Sequence, residues 1–478
     1  MNKLTRVGGL LISIALIGAA CGSSKKTVAP AATTAKAASP TTAAAAATTT
    51  AGAAKTTAGG ATTTAGAAVD AAKKGALAGM KGTTPLVKLS DDFKKKLEDN
   101  WVKAGNKSLD NTYNYGPETY DAVVILALAV EKAGTDGIEY TKEINGITKG
   151  GTKCTDYKSC DDIIKAKGDP DYDGISGPLE FAGNGEPTIA SYGILPFGAD
   201  NKIDDAKTVY KTAKAPAAAA NVPETPVVGT RKGDGVFKVG TILPQTGNLA
   251  FLGPPEFAAM DLVVKDINAA GGVLGKPMVA IIKDSGDAKT DIVNQSTDAL
   301  IAEQVDAIIG AASSGVSLKV IDKITGAGIV QFSPANTSKK LSTYDDKGLY
   351  FRDAPSDILQ GGVLADVIAG DGNKNVAIIN RNDAYGVGLT EDMTAALTAA
   401  GLKVVVTKTY DETAEKFNTE VNEIKAAKPD AIAIIGFEES SKILSALVEA
   451  GIGPTKVKTY GCDGNIGNAL ATDFEAGK

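Results

Sequence analysis

The chain is predicted to be an α/β protein with open parallel sheets, because short β-branched runs alternate with segments of helical spacing. From residue 236 onward the runs recur at intervals of about 25–35 residues, the rhythm of βαβ units. The predicted strands are Val236–Leu243, Met278–Lys283, Ala307–Gly310, Ile329–Ser333, Val376–Asn380, Val404–Thr407, Ala431–Gly436 and Val457–Gly461. The predicted helices between them are Phe257–Asn268, Asp291–Glu303, Asp357–Ile368, Leu389–Ala400, Ala414–Ala427 and Ser440–Ala450. Ligands of such sheets bind beyond the carboxyl ends of the strands, so the residues just after each strand matter most.

Length and composition exclude several classes of function. The 478 residues suggest two or three domains, and the formal charge of −6 argues against a nucleic-acid-binding body. The sequence contains no histidine, which excludes His-based acid/base catalysis, Ser-His and Cys-His pairs and His-ligated metals. Neither a phosphate-binding Gly-rich loop nor a GxSxG elbow occurs. We therefore expect a protein that is not an enzyme and that carries no cofactor or metal.

The first residues are typical of an export signal. Lys3 and Arg6 precede an apolar run over residues 7–20, which is too short to span a bilayer as a helix. The run ends in Gly18-Ala19-Ala20-Cys21, which resembles a bacterial lipoprotein cleavage site, so residues 1–20 are predicted to be a signal peptide and Cys21 to be lipidated. Gly18 departs from the usual leucine of that site. A plain signal peptide with an incidental cysteine is the alternative.

The segment that follows is predicted to be a flexible tether. Residues 21–74 consist largely of alanine and threonine and offer no apolar face that could be buried. A coil of this length would hold the folded body roughly 35–40 Å from its anchor. A fibrous or self-associating Ala-Thr repeat is the alternative, although no strict period is visible.

The residues after the predicted strands resemble those of a known family. The similar stretches are Val239–Gly247, Gly253, Asp266–Gly272, Ile309–Gly315, Phe332–Thr337, Asn382–Gly386 and Gly461–Gly464. Together, in order and over about 240 residues, they look like the type I periplasmic solute-binding proteins of ABC importers, in particular the leucine/isoleucine/valine type. The resemblance implies two Rossmann-like lobes with parallel sheets, joined by a hinge of three crossings.

The order of the blocks differs from that of the family and suggests a circular permutation. Members end with a helix, a second helix led by Tyr-Asp-Ala and a Gly-Pro-Leu hairpin, and the similar pieces here come first, within residues 75–207. Through the resemblance, lobe 1 combines residues 236–355 with 88–175, and lobe 2 combines 356–478 with 75–87 and 177–207. Residues 208–235 would be the permutation linker, and the crossings would lie near residues 86, 176 and 356. A truncated copy fused to a tail from a neighbouring copy is the alternative.

The resemblance also implies the ligand contacts. Ser314 and Thr337 match positions that hold the carboxylate or ammonium of an amino acid, and Ala335 would add backbone groups. Asp463 matches the acidic residue aimed at the ammonium. Tyr385 and Phe437 match aromatic residues that cover the ligand, and Leu252 would line the side-chain pocket. Taken without the resemblance, Ser314 and Thr337 could be helix caps and Asp463 a turn residue.

The remaining cysteines are given structural roles. Cys154 and Cys160 flank a short polar loop, and export to an oxidising compartment favours a disulfide between them, with two free thiols as the alternative. Cys462 is expected to be a small buried residue.

The sequence thus predicts a monomeric, lipid-anchored protein on the extracytoplasmic face of the membrane. It would capture an amino acid, branched-chain or otherwise apolar, by closing two lobes, and would deliver it to an ABC permease. A surface receptor without transport is the second hypothesis, and an enzyme that uses carboxylates or lysines is the third.

Overall fold

Two open sheets and one small ladder make up the fold. A computed structural model describes residues 73–477, so the predicted signal peptide, Cys21 and nearly all of the tether lie outside the described residues. The strands are β1 Lys81–Pro85, β2 Thr152–Cys154, β3 Pro170–Tyr172, β4 Ile189–Pro196, β5 Val209–Lys214, β6 Lys238–Leu243, β7 Val279–Asp284, β8 Ala307–Gly310, β9 Val330–Ser333, β10 Tyr350–Arg352, β11 Asn375–Arg381, β12 Lys403–Tyr410, β13 Ala431–Ile435 and β14 Lys458–Gly461.

Helices connect most of these strands. They are α1 Asp91–Lys103, α2 Gly116–Ala133, α3 Ile144–Ile147, α4 Tyr157–Lys165, α5 Ala217–Ala220, α6 Gly253–Ala269, α7 Ile292–Ala302, α8 Ser314–Gly326, α9 Asp357–Gly370, α10 Ala384–Ala399, α11 Asn418–Ala427, α12 Ser440–Glu449 and α13 Asn468–Ala476. Within residues 73–477, none of them has the length and apolar character that crossing a membrane requires.

Each sheet forms the centre of one lobe. Lobe 1 has five parallel strands in the order β10-β9-β8-β6-β7, and lobe 2 has seven in the order β12-β11-β13-β14-β1-β4-β5. The pairs β1–β4 and β4–β5 are antiparallel, and every other pair in the two sheets is parallel. The predicted α/β class with open parallel sheets is therefore confirmed. The eight predicted strands all occur, with ends shifted by no more than three residues.

Helix α2 is the most deeply buried element of lobe 1. Its sequence is apolar on nearly every side from Val123 to Val130, and every residue from Gly116 to Val130 is buried. A helix without a polar face is stable only inside a core, and α2 packs against α6, α4 and the strands β8 and β9. The Cys154–Cys160 disulfide, whose Cα atoms are 5.4 Å apart, lies at the start of α4 beside this core. Cys462 is free and buried.

Strand β1 comes from the start of the described chain and completes the sheet of lobe 2. It pairs in parallel with β14, with Lys81 opposite Tyr460, and antiparallel with β4, with Pro85 opposite Tyr192. The end of α13 lies beside the first described residue, because the Lys73 ammonium donates to the Phe474 carbonyl at 2.6 Å. Segments from both ends of the chain therefore share one sheet and one hydrophobic core.

Apart from the passage from β5 to β6, the described chain crosses between the lobes three times. The chain passes from β1 in lobe 2 to α1 in lobe 1 after Pro85, and from β10 in lobe 1 to α9 in lobe 2 near residue 356. The crossing expected near residue 176 falls between Glu186 and β4. Residues before it still pack in lobe 1, because Leu179 and Phe181 lie in that core and Glu186 pairs with Arg352.

The predicted linker, residues 208–235, is more ordered than the sequence suggests. Its first part is β5, the edge strand of lobe 2, which pairs with β4 over six residues. Its second part runs along lobe 1, where the Val228 amide donates to the Lys347 carbonyl and the Ile138 amide donates to the Arg231 carbonyl, both at 3.0 Å. Arg231 also forms a buried ion pair with Asp306. The strand was not evident from the sequence, because its β-branched and aromatic residues Val209 and Tyr210 are exposed and lie next to a Pro- and Ala-rich segment.

Buried carboxyl groups gather beneath the cleft of lobe 1. Glu118 lies in the first turn of α2, Glu256 in the first turn of α6, and Asp353 directly after β10, and all three are buried. Neither carboxylate oxygen of Glu256 or of Asp353 has a hydrogen-bond partner among the described residues. Burial raises the pKa of Glu118 to about 8. Burial, reinforced by the charge of Glu118, raises the pKa of Glu256 and of Asp353 well above their ordinary values. Glu118 therefore keeps its proton at neutral pH.

Because of these buried carboxyl groups, we predict that the free energy of unfolding falls as the pH rises. The unfolded chain releases the proton of Glu118 above a pKa of about 4.5, whereas the folded protein keeps it up to about pH 8. The melting temperature should therefore drop by roughly 5 °C or more between pH 5 and pH 8. Glu118→Gln, which stays neutral, should flatten this decline in a thermal melt followed by circular dichroism. The exposed Glu303→Gln serves as the control, and equal slopes for both variants would contradict the prediction.

Candidate functional site

A small cavity lies between the two lobes, beyond the carboxyl ends of their strands. Its volume is about 10 Å³, at most the space of one water molecule. The lobes are thus closed on the cavity, and a molecule of amino-acid size can enter only when they separate. The lining residues are Tyr115, Leu249, Leu252, Ala312, Ser313, Ser314, Ala335, Thr337, Tyr385, Phe437, Asp463 and Gly464. All seven residues predicted as ligand contacts are brought together here, and their contact with a ligand stays a prediction.

Lobe 1 supplies hydrogen-bond donors at the start of a helix. Ser313 is the N-cap of α8 and Ser314 is its first residue, so hydroxyls and free backbone N–H groups meet at the positive end of the helix dipole. The Ser314 hydroxyl also accepts the Ser338 amide at 3.3 Å. Such a helix start stabilises an anionic group without a buried cation. This wall of the cavity suits a carboxylate.

The loop that carries Ala335 and Thr337 is held by a buried network. The Ser333 hydroxyl accepts the amides of Ala335 and Asn336 at 3.2 and 2.9 Å. The Arg352 guanidinium donates to the carbonyls of Asn336 and Ser338 at 3.1 and 3.0 Å. Arg352 is itself neutralised by Glu186, whose carboxylate accepts its Nε–H at 3.0 Å. Since an unpaired buried charge is costly, this pair keeps the loop in one conformation.

Asp463 is the acidic centre of lobe 2. It follows β14 in a turn fixed by Asn465, which accepts the Cys462 amide at 2.9 Å and donates to the Ile434 carbonyl at 3.0 Å. Asp463 is 3% exposed, and its two carboxylate oxygens each accept a tyrosine hydroxyl. Tyr115 donates to Oδ2 at 2.6 Å and Tyr385 donates to Oδ1 at 2.7 Å. Burial raises the pKa of Asp463 despite these hydrogen bonds, which act to lower it.

A second buried carboxyl group stands close to Asp463. Asp357 begins α9, and its amide donates to the Thr337 carbonyl at 2.7 Å. It is fully buried, and within the described chain neither of its carboxylate oxygens has a hydrogen-bond partner. Burial and the nearby charge of Asp463 raise the pKa of Asp357 well above its ordinary value. The centre of the cleft therefore carries an excess of acidic groups, which a cationic group would relieve.

Aromatic rings cover the cavity from lobe 2. The Tyr385 and Phe437 rings stack with centroids 5.4 Å apart. The Arg381 guanidinium lies 3.7 Å from the centre of the Phe437 ring and is held by Asp383, Glu412 and Glu439. With Leu249 and Leu252 of lobe 1, these rings form an apolar wall. The wall suits an apolar side chain.

Several contacts join the lobes around the cavity. The Ser338 hydroxyl of lobe 1 donates to the Ala384 carbonyl of lobe 2 at 2.9 Å. Lys339 pairs with Glu391 and Asp392, each at 2.9 Å, and Lys289 pairs with Glu412 at 3.1 Å. The lysine side chains are partly exposed, so each pair stabilises closure by only about 1 kcal/mol or less. Closure is thus shared among several weak contacts and the buried hydrogen bond from Tyr115 to Asp463.

Sequence reasoning did not name five of the lining residues, which are Tyr115, Leu249, Ala312, Ser313 and Gly464, nor Asp357, which is buried close to Asp463. The sequence does contain a sign that a helix starts beside Tyr115, because Pro117 is typical of the first turn of a helix. Helix α2 indeed begins at Gly116, before the Tyr-Asp-Ala motif that leads the similar helix of the family. Leu249 lies in an irregular loop, and Asp357 reads as an ordinary residue of a helix start. Within residues 73–477, no group of three or more acidic or cysteine side chains is arranged to hold a metal ion.

Comparison with known proteins places the chain among binding proteins. The model of a family described as periplasmic binding protein matches residues 236–476. The Leu/Ile/Val-binding protein homolog 3 of Brucella melitensis biotype 1 is 27% identical over 253 residues, which are 50% of this chain and 67% of that protein. The Leu/Ile/Val-binding protein BraC3 of Rhizobium johnstonii is 28% identical over 211 residues, 43% of this chain and 56% of that protein. The chain thus spans only part of the length of these relatives.

A similar solved structure is the branched-chain amino acid transporter substrate-binding protein LivJ of Streptococcus pneumoniae, in complex with isoleucine. It is 24% identical, and the TM-score is 0.45. The matched region covers 50% of this chain and 67% of that one.

Proposed function

Because the chain belongs to the periplasmic binding protein family, we propose that it captures an amino acid by closing its two lobes around it. The observation that carries this proposal is the pairing of opposite chemistries across one cavity. The start of α8 in lobe 1 offers neutral donors to a carboxylate, and Asp463 in lobe 2 offers a carboxylate to an ammonium. A free amino acid carries both groups on one carbon atom.

The ligand is proposed to have an apolar side chain. Leu249, Leu252, Tyr385 and Phe437 line the rest of the cavity, and burying an apolar side chain against them is favourable by about 1.5–3 kcal/mol. The relatives named for leucine, isoleucine and valine support this class. A ligand that touches both lobes shifts the opening equilibrium towards closure, which is how binding would be signalled to a partner.

The unusual order of segments is proposed to be a circular permutation. In support, β1 fills the place beside β14 that the next strand of a βαβ unit would take, and α13 ends beside Lys73. The alternative, a tail that belongs to a neighbouring copy, would require the same contacts to form between two chains.

Cys21 is proposed to carry a lipid that anchors the protein on the extracytoplasmic face, with residues 22–74 as tether. An anchored binding protein stays close to membrane proteins, and the proposed partner is an ABC permease that receives the amino acid. Copurification of permease subunits with the closed protein would separate transport from the role of a receptor.

Replacing Asp463 tests the ligand site. Asp463→Asn keeps the shape of the side chain and removes the charge that would pair with the ammonium, so the affinity for L-leucine in calorimetry should fall at least about 100-fold. Asp366→Asn, an exposed change in the same lobe with a side-chain exposure of 61%, is the control. Unchanged binding by Asp463→Asn, or no binding of any apolar amino acid by the wild type, would contradict the proposal.

Rejoining the chain tests the permutation. A variant that begins at Ala218 in the exposed helix α5, continues to Lys478 and then runs through a short Gly-Ser linker into residues 73–217 keeps both β5 and the Arg231–Asp306 pair and should fold as a monomer. Its melting temperature should lie within about 5 °C of the wild type, because the sheet contacts are the same and linker closure varies little with length. Size-exclusion chromatography of the wild type is the companion measurement. Dimers that exchange segments would support the neighbouring-copy alternative.

Fractionation of the native host tests the anchor. Wild-type protein should pellet with membranes and yield an N-terminal peptide with the added mass of acyl chains, while Cys21→Ala should move to the soluble fraction, because a protein without its acyl chains loses most of its membrane affinity. Cys462→Ala, a change in the buried free cysteine, should leave the distribution unchanged. A wild-type protein found without lipid would favour the plain signal peptide.

A further inference from the structure

The Tyr115 side chain reaches the acidic centre of the cleft from the opposite lobe. Tyr115 precedes α2, which packs within lobe 1, whereas Asp463 follows β14 of lobe 2. Its hydroxyl nevertheless donates to Asp463 Oδ2 at 2.6 Å, and only 2% of the residue is exposed. Burial raises the pKa of Tyr115 well above 10, so the hydroxyl remains a donor. At 2.6 Å the hydrogen bond is short, as is typical of a hydroxyl that donates to a carboxylate oxygen.

Its backbone conformation shows that this position is imposed by the surroundings. Tyr115 has φ 60° and ψ 4°, the left-handed region that residues with a side chain adopt at a cost of about 1–2 kcal/mol. The Thr119 hydroxyl donates to the Tyr115 carbonyl at 2.7 Å and helps to hold the turn. In this strained backbone conformation the ring points into the cleft and not along the surface of lobe 1.

The two tyrosines on Asp463 differ in what happens when the cleft opens. Tyr385 lies at the start of α10 in lobe 2, the same lobe as Asp463. Its hydroxyl also accepts the Gly464 amide at 3.2 Å. Its hydrogen bond to Oδ1 therefore survives the separation of the lobes. The hydrogen bond from Tyr115 crosses the cleft and must break. A ligand that binds the open protein thus meets Asp463 with Oδ2 free and competes with Tyr115 for that oxygen on closure.

We propose that Tyr115 is a closing contact of the ligand-free protein, whose hydroxyl takes the oxygen of Asp463 that the ligand's ammonium would occupy, so that a ligand must displace it to bind. The inference rests on the proposed amino-acid function and adds the contact that sets the affinity a ligand has to exceed. An ammonium exchanges a neutral donor for a charged one on a buried carboxylate, which is favourable. A ligand hydroxyl replaces one neutral donor with another and gains nothing over the tyrosine.

A matched pair of ligands and a matched pair of variants test this proposal. L-leucine and L-2-hydroxy-4-methylpentanoate differ only in carrying an ammonium or a hydroxyl, and calorimetry gives the affinity for each. Both ligands must displace Tyr115, so Tyr115→Phe, which removes the competing hydroxyl, should raise both affinities by a similar factor of about ten. Tyr344→Phe, which removes a hydroxyl of lobe 1 that donates to Asp322 outside the cavity, is the control and should leave both affinities unchanged. Affinities that stay the same or fall in Tyr115→Phe would overturn the proposal.

A second measurement needs no ligand. In small-angle X-ray scattering of ligand-free protein, Tyr115→Phe should show a larger radius of gyration than the wild type, because the buried hydrogen bond across the cleft is lost. Tyr344→Phe should match the wild type, and thermal melts check that both variants are folded. If neither wild type nor Tyr115→Phe binds leucine, the proposed ligand class fails, and scattering alone then decides the role of Tyr115. Identical scattering of wild type and Tyr115→Phe would overturn it.

Discussion

The pairing of β1 with its two neighbours is the constraint on which the rest of the structure depends. Without Lys81–Pro85 the sheet of lobe 2 would separate into β12-β11-β13-β14 on one side and β4-β5 on the other. The strand is five residues long, and four of them are buried. Its loss would expose the ladder edge of β14 and the core that Leu77 and Met80 share with Ile466 and Phe474. The segment of residues 73–207 is therefore part of the folded body.

The same constraint assembles the cleft. Tyr115 and Asp463 are 348 residues apart in sequence, yet they meet because β1 leads directly into α1 and α2 of lobe 1 while β14 holds the turn of Asp463 in lobe 2. Arg352 and Glu186 tie the segment before β4 to the loop that carries Thr337 in a similar way. The wall of lobe 1 thus combines early and late parts of the chain.

Much of this arrangement could be predicted from sequence, because buried parallel strands read as continuous β-branched runs and the ligand side of such sheets is fixed by topology. That is why the eight strands from residue 236 onward could be named, whereas the seven expected contact residues came from the resemblance of the loops after those strands to a known family. The weaker predictions concern segments without such periodicity. Strand β5 is exposed and alternates poorly, and the late crossing near Glu186 depends on its pairing with Arg352, which is visible only in three dimensions. Asp357 was missed for a related reason, since its role follows from what surrounds it and not from its place in a helix.

The charges around the cleft decide which ligands it can accept. The two arginines near it are already neutralised, Arg352 by Glu186 and Arg381 by Asp383, Glu412 and Glu439. The buried carboxyls of Asp357 and Asp463 form no ion pair among the described residues, and the charge of Asp463 adds to the burial that raises the pKa of Asp357. A ligand that carries a carboxylate but no amine would add to the excess of acidic groups in the cleft, whereas an ammonium bound to Asp463 would offset that excess. The serines at the start of α8 can then bind a carboxylate because the cation lies in the same small molecule. Selectivity for a zwitterion thus follows from charges that the protein leaves unbalanced in its interior.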